Sequence, residues 1–237
     1  MLLYYVRHGD PIYNPDSLTP LGERQAEAVA KRLALYGIDE VYSSDSNRAM
    51  MTAEPTCQLL KKEKKLCPWA NEGVAWGEFT VITEEGKRTW GFSHKPTVEI
   101  FNSAEMRKLG ADWCDHPFFE GTKFREGRIR VDKDIDEFML GLGYCHYRTD
   151  GHYEAVEPND KRIALFAHQG FGMAFLSSLL DIPYPQFCTH FDLSHSSVTV
   201  IRFDGTGKIY PKVLQLANDS HLYREGLLTG YNNGIRV

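Results

Sequence analysis

Two stretches of this 237-residue chain share one pattern: "LLYYVRHG" near the start and "RIALFAHQG" from Arg162 onward. Each is an apolar run of strand length that delivers a histidine and then, within two positions, a glycine. A continuous apolar run reads as a strand covered on both faces. The residues between and after the runs alternate strand with helix. In "LTPLGERQAEAVAKRLALYG", Thr19 is placed to cap, Pro20 suits the first helical position, and Ala26, Val29, Ala30 and Leu33 fall on one face before Gly37. "DEVYSS" reads as a short strand and "NRAMMTAEPTCQLLKK" as a helix kinked near Pro55. "FGMAFLSSLLDIP" reads as a helix, and "SSVTVIRF" and "KVLQLA" as strands joined by the turn "DGTG". This order predicts an α/β fold, a doubly wound, mostly parallel sheet flanked by helices. Sites in such sheets lie beyond the strand C-terminal ends, where both histidines fall.

Residues 79–160 break the alternation, with helical patterns, many aromatics and loops such as "FREGR". We read them as a helical and loop cap insertion beside the C-terminal edge of the sheet, within a single domain spanning 1–237.

Adjacent Arg7 and His8 at a strand end are poor for packing and suit an anion. The net charge is −5 and the pI about 6.0, so no global basic field points to nucleic acid or an anionic membrane. The anion site must be local, and the expected partner is a small phosphorylated substrate. Five cysteines form no C-x-x-C pair, which predicts free thiols in a reducing compartment. Residues 1–9 do not read as a signal peptide and no segment reads as a membrane span, so a cytoplasmic protein is expected. The oligomeric state does not follow from the sequence.

Five segments in order resemble the histidine phosphatase superfamily, the phosphoglycerate-mutase-like fold. They are "VRHG", "LTPLGERQA", "SSDSNRAMMTA", "FAHQGF" and "LANDSHL". The resemblance spans residues 2–222, with the middle least matched, and implies phosphoryl transfer through a phosphohistidine, without cofactor or metal.

The residues make chemical sense on their own terms. Hydrolysis of a phosphate monoester can need a rate factor approaching ~10²¹. Losing one preorganised donor typically costs roughly 10²–10³, so several cations must converge. Arg7 and Arg48 suit the clamp because a guanidinium binds phosphate bidentately and keeps its charge. A neutral His8 can attack phosphorus and carry the group. His168 would stabilise oxygens that gain charge in the transition state. Gly9 leaves its backbone free to approach the phosphate or ring.

The resemblance adds Asn14 as a phosphate contact and Glu72 as general acid, with Glu78 as the other candidate for that role. Gln169 stands where the family has a small residue after the second histidine, and is assigned to substrate binding. Asp10-Pro11 stands where the mutases carry Glu-Ser, which favours a phosphatase over a phosphomutase. A non-catalytic phospho-ligand binder would keep the same arginines. Cys188, His190 and His195 lack a metal-ligand spacing and read as surface or loop residues. His94, His116, His146 and His152 read as solvated polar residues of the insertion, and His221 as structural. Arg88, Lys95 and Arg107 are candidates to hold a second anionic group.

Overall fold

The computed structural model describes residues 1–235; the last two positions of the expected 1–237 domain lie outside the described residues. Six strands build the central sheet: β1 (Leu2–Arg7), β2 (Glu40–Ser43), β3 (Lys64–Leu66), β4 (Arg162–Ala167), β5 (Val198–Arg202) and β6 (Lys212–Asn218). Their order is β6-β5-β1-β4-β2-β3. The four strands from β1 to β3 are parallel, while β5 runs antiparallel to β1 and β6 antiparallel to β5. The sheet is therefore mostly parallel, as the alternation predicts.

Side chains of a strand alternate between faces, and the apolar runs divide accordingly. Leu3 and Tyr5 of β1 and Ile163 and Leu165 of β4 enter one core, while Val6, Ala164 and Phe166 enter the other. Leu3, Ile163 and Leu165 are wholly buried, each stabilising by roughly 1.5–3 kcal/mol relative to exposure. A one-residue slip would exchange the two sets between faces, so burial fixes the register.

The Val6 face is covered by α1 (Pro20–Ala34) and α2 (Asn47–Leu60). The Thr19 hydroxyl caps α1 by accepting the Gly22 amide at 3.0 Å, and α2 runs through Pro55 as one element. The Leu3 face is covered by α5 (Gln169–Leu179), α4 (Phe124–Gly141) and the short helix α3 (Glu72–Glu78). Segment 79–160 contributes to this second core, through Phe101, Phe124, Ile135 and Tyr153 among others. Two of its histidines are not solvated as the sequence suggested. The His146 ring is enclosed because both its nitrogens donate to carboxylates, Nδ1 to Asp136 at 3.0 Å and Nε2 to Asp181 at 2.9 Å. His152 is also buried, stacked on Tyr147 at 5.1 Å between centroids. No helix among the described residues is long and apolar enough to cross a membrane.

The register decides where the strands stop. Arg7 lies opposite Ala167, and Phe166 opposite Ser43. Strands β1, β4 and β2 thus end side by side, and the next residues of each are His8, His168 and Ser44. The ladder continues one step beyond: the His8 amide donates to Ala167 O at 2.9 Å and the Ser44 amide to Phe166 O at 2.8 Å.

Candidate active site

The loop after β1 is pinned by the first turn of α1. A Cβ at Gly9 would stand 2.6 Å from the Gly22 carbonyl oxygen, and one at Gly22 would stand 2.2 Å from that of Asp10. Both contacts are with backbone, which cannot step aside. Gly9 is therefore required for packing against α1. The Gln25 side chain accepts the Asp10 amide at 2.8 Å, and the Thr52 hydroxyl accepts the Gly9 amide at 3.0 Å.

The His8 ring is buried and lies 5.2 Å from that of His168 between centroids. Its Nδ1 is 2.7 Å from the Gly9 carbonyl oxygen. A carbonyl can only accept, so Nδ1 carries the proton and Nε2 keeps the lone pair. Burial, then the neighbouring His168, Arg7 and Arg48, pushes the His8 pKa well below its ordinary value. The ring is neutral and nucleophilic at physiological pH.

His168 is held by the loop after β2. Its Nε2 lies 2.9 Å from Ser44 Oγ and 3.3 Å from Ser46 Oγ. Ser44 Oγ accepts the Ser46 amide at 3.3 Å and has its own hydrogen to give to Nε2. That arrangement assigns the His168 proton to Nδ1, a buried nitrogen without a protein partner. Burial, then Arg48 and Arg7, keeps this ring neutral as well. The Tyr5 hydroxyl donates to the His168 carbonyl at 2.6 Å, tying the backbone to the middle of β1.

Arg7 is wholly buried and donates to the Leu193 carbonyl and to Asn232 Oδ1. Arg48, in the first turn of α2, donates to Asp16 Oδ1 at 2.7 Å. Asp16 also accepts the Asn47 amide through Oδ2 at 2.7 Å, so one carboxylate offsets the poor placement of a cation at a helix start. The Nε atoms of both arginines are buried without partners. With His168 Nδ1 they make three unsatisfied donors in one cluster, a deficit that an anion's oxygens would fill.

Glu72 lines the same pocket as Arg48. Its carboxylate accepts the Gly170 amide at 3.0 Å and the Phe171 amide at 2.9 Å, at the start of α5. Burial raises its pKa, and these amides and the two arginines only partly oppose that. Glu78, the other candidate acid, is six residues along α3 and paired with Arg130, with both contacts at 2.7 Å. Asn14 stands exposed at the turn of a hairpin of Pro11–Tyr13 and Asp16–Leu18. Beside it Tyr13, also exposed, lines the pocket, with its ring 5.4 Å from the Arg48 guanidinium. Gln169 is buried at the first position of α5, where it donates to Asp192 and accepts from Asn232 at 3.3 Å.

Two site residues escaped the sequence reading. His195 is buried, not at the surface, with its ring 6.2 Å from that of His8. Its Nε2 donates to Asn232 Oδ1 at 3.0 Å, and burial beside Arg7 pushes its pKa down to about 4. Asn232, from the glycine- and asparagine-rich tail, thereby gathers Arg7, His195 and Gln169. The signal for His195 lies in topology. Strand β5 starts where its antiparallel neighbour β1 ends, and the Ser196 amide donates to the His8 carbonyl at 3.0 Å. Of the cations nominated for a second anion, Arg88 donates to Thr80 Oγ1 at 2.8 Å and lines a different pocket, Arg107 is bound to Asn102, and Lys95 is exposed.

The histidine phosphatase superfamily (branch 1) matches residues 3–218. A candidate phosphoserine phosphatase of Hydrogenobacter thermophilus is 26% identical over 158 residues, covering 62% of this chain and 69% of that protein. A mycobacterial glucosyl-3-phosphoglycerate phosphatase, solved with inorganic phosphate, superposes with a TM-score of 0.60 at 18% identity over 93% of this chain and 98% of that one. The phosphoserine phosphatase of Entamoeba histolytica, solved with 3-phosphoglyceric acid, gives 0.57 at 22% identity over 93% and 98%. These two share the fold. The strand ends that bring residues 8, 44 and 168 together thus lie within a pattern matched almost end to end, and the chain belongs to the histidine phosphatase superfamily, branch 1.

Proposed function

We propose that the protein is a phosphatase that hydrolyses small phosphate monoesters through a phosphohistidine on His8. The observation that carries this is the His8 tautomer. Its Nδ1–H is committed to the Gly9 carbonyl, so the Nε2 lone pair is available to phosphorus inside a cluster of unsatisfied cationic donors.

The reaction takes two steps. Nε2 of His8 attacks phosphorus and the ester P–O bond breaks, its electron pair leaving with the alkoxide. Glu72, whose raised pKa favours its acid form, gives that oxygen its proton. Arg7, Arg48 and the Nδ1–H of His168 hold the phosphoryl oxygens as their charge develops. A water then attacks the phosphohistidine and loses its proton to the Glu72 carboxylate. The N–P bond breaks, its pair returns to Nε2, and inorganic phosphate leaves. Among the described residues no three His, Cys, Asp or Glu side chains are grouped to hold a metal ion. The five free thiols, four of them buried, support a reducing, cytoplasmic setting.

The test is phosphate release from nitrophenyl phosphate and a panel of metabolite esters, with and without chelator. The reading expects turnover without added divalent metal, and inhibition by vanadate as a mimic of five-coordinate phosphorus. Loss of all turnover in chelator would overturn it.

A further inference from the structure

The pocket mouth differs in character from its phosphate-binding floor. Trp76, on α3, and Trp90 meet edge to face with centroids 5.0 Å apart, and Phe92 stacks on Trp90 at 5.5 Å and 12°. Trp76 and Trp90 line the pocket with Glu72 and Arg48, and all three aromatics remain partly exposed. Trp90 is fixed against the start of α5: a Cβ on Gly170 would stand 2.3 Å from its Cζ2. That same Gly170 donates its amide to Glu72. The aromatic wall therefore stands beside the group that must protonate the leaving oxygen.

The charges around it are one-sided. Asp16 and Asp45 line the pocket beside the acid Glu72, and Asp192 lines the recess that continues past Trp90. Among the described residues, Arg48 is the lone lysine or arginine lining either space, and it is paired with Asp16. A carboxylate or second phosphate on the leaving group would meet acids and no free lysine or arginine. A ring face laid on tryptophan loses water from apolar surface on both sides. At the rim the Nδ2 atoms of Asn47 and Asn71 donate to the Asp16 carbonyl and to Asp45 Oδ1, which leaves each a second N–H for a hydroxyl or ring acceptor.

We propose that the physiological substrate is a phosphate monoester of an uncharged, ring-bearing alcohol, with Trp90 and Trp76 as the residues that select its ring. This rests on the phosphatase reading and narrows it. The chemistry is shared by sugars and nucleosides, and the experiment separates them.

The measurement is kcat/KM for glucose 6-phosphate, adenosine 5′-monophosphate, phosphoserine, 3-phosphoglycerate and glycerol 1-phosphate, with nitrophenyl phosphate as the activity control. At least one of the two ring substrates should exceed the carboxylate substrates and glycerol phosphate by roughly tenfold or more, the scale set by one apolar contact. Trp90→Ala and Trp76→Ala should each lower the preferred ring substrate by about tenfold while glycerol phosphate stays within about twofold. Trp90→Phe should restore much of the loss. Damage to Glu72 through its neighbour would instead lower glycerol phosphate in parallel, which is why that substrate is included. If phosphoserine or 3-phosphoglycerate is preferred, or if both tryptophan variants lower every ester equally, the inference fails while the phosphatase reading stands. Absence of turnover on nitrophenyl phosphate would remove both.

Discussion

Glu72 Oε2 accepts the Phe171 amide at 2.9 Å, so the candidate acid is anchored to the helix that begins just after His168. His168 and the candidate acid are thereby held at the same helix start. Glu72→Gln keeps an oxygen for one of the two amides but has no proton to give. It should lower hydrolysis of alkyl phosphates by around 10²–10⁴, the range typical of general acid–base catalysis. The burst of nitrophenol from nitrophenyl phosphate should be spared, because a phenolate leaves without a proton. In the wild type, alkyl ester turnover should fall as pH rises through the raised pKa of Glu72, since the acid form is lost there. Equal loss on both ester types in the variant would show that Glu72 acts by holding α5 alone.

Asn232→Ala tests a residue that no motif announced. It removes the acceptor for Arg7 and for His195 together. Freed of its tether, Arg7 should hold phosphate less well, raising KM and the vanadate inhibition constant by roughly tenfold, the cost of one charge-assisted hydrogen bond. The circular dichroism spectrum and melting temperature should change little, because the tail packs at the rim of the site.

Stability should fall as the solution is acidified from pH 7 to 5. Burial pushes the pKa values of both His195 and His221 down to about 4. His221 donates from Nε2 to Ser196 Oγ at 3.0 Å and accepts from Arg32 at 3.3 Å, a pattern only the neutral ring satisfies. A histidine whose folded pKa is depressed contributes stability above its unfolded value, and that stability is lost as pH falls toward the folded one. Each of the two should lose about 2 kcal/mol by pH 5. His146 works in the opposite sense. Against the effect of burial, Asp136 and Asp181 hold its pKa up, so its contribution is lost only as pH rises. Urea unfolding at the two pH values checks this, with His221→Gln expected to be less stable at pH 7 and to lose less on acidification. A protein equally stable at both pH values would contradict the assignment of neutral buried rings.

The parts of the site visible in the sequence are those that strand periodicity places. His168 follows an apolar run directly and His8 follows one with only Arg7 between, so their location at the sheet's C-terminal edge was legible, and Arg48 was conspicuous as a cation at a helix start. What escaped depends on contacts between distant segments. His195 is brought to His8 by the antiparallel register of β5, and Asn232 by a tail without periodicity. Asn14 was placed by a pattern; in the structure it stands exposed at the hairpin turn, and Tyr13 beside it is the residue that lines the pocket. For Gly9 the structure adds a packing partner, Gly22, and the two can be paired only once α1 is seen against the loop.

The most direct test of the account is the covalent state of His8 during turnover. Wild-type protein quenched in alkali within its first turnover of phosphorus-labelled ester should carry acid-labile, base-stable label, and peptide mapping should place it on the Nε2 nitrogen of His8. The His8→Ala variant should remain folded, because the residue lies beyond the apolar run of β1, and should carry no label and release no phosphate. Label on another residue, or undiminished turnover in His8→Ala, would contradict the account.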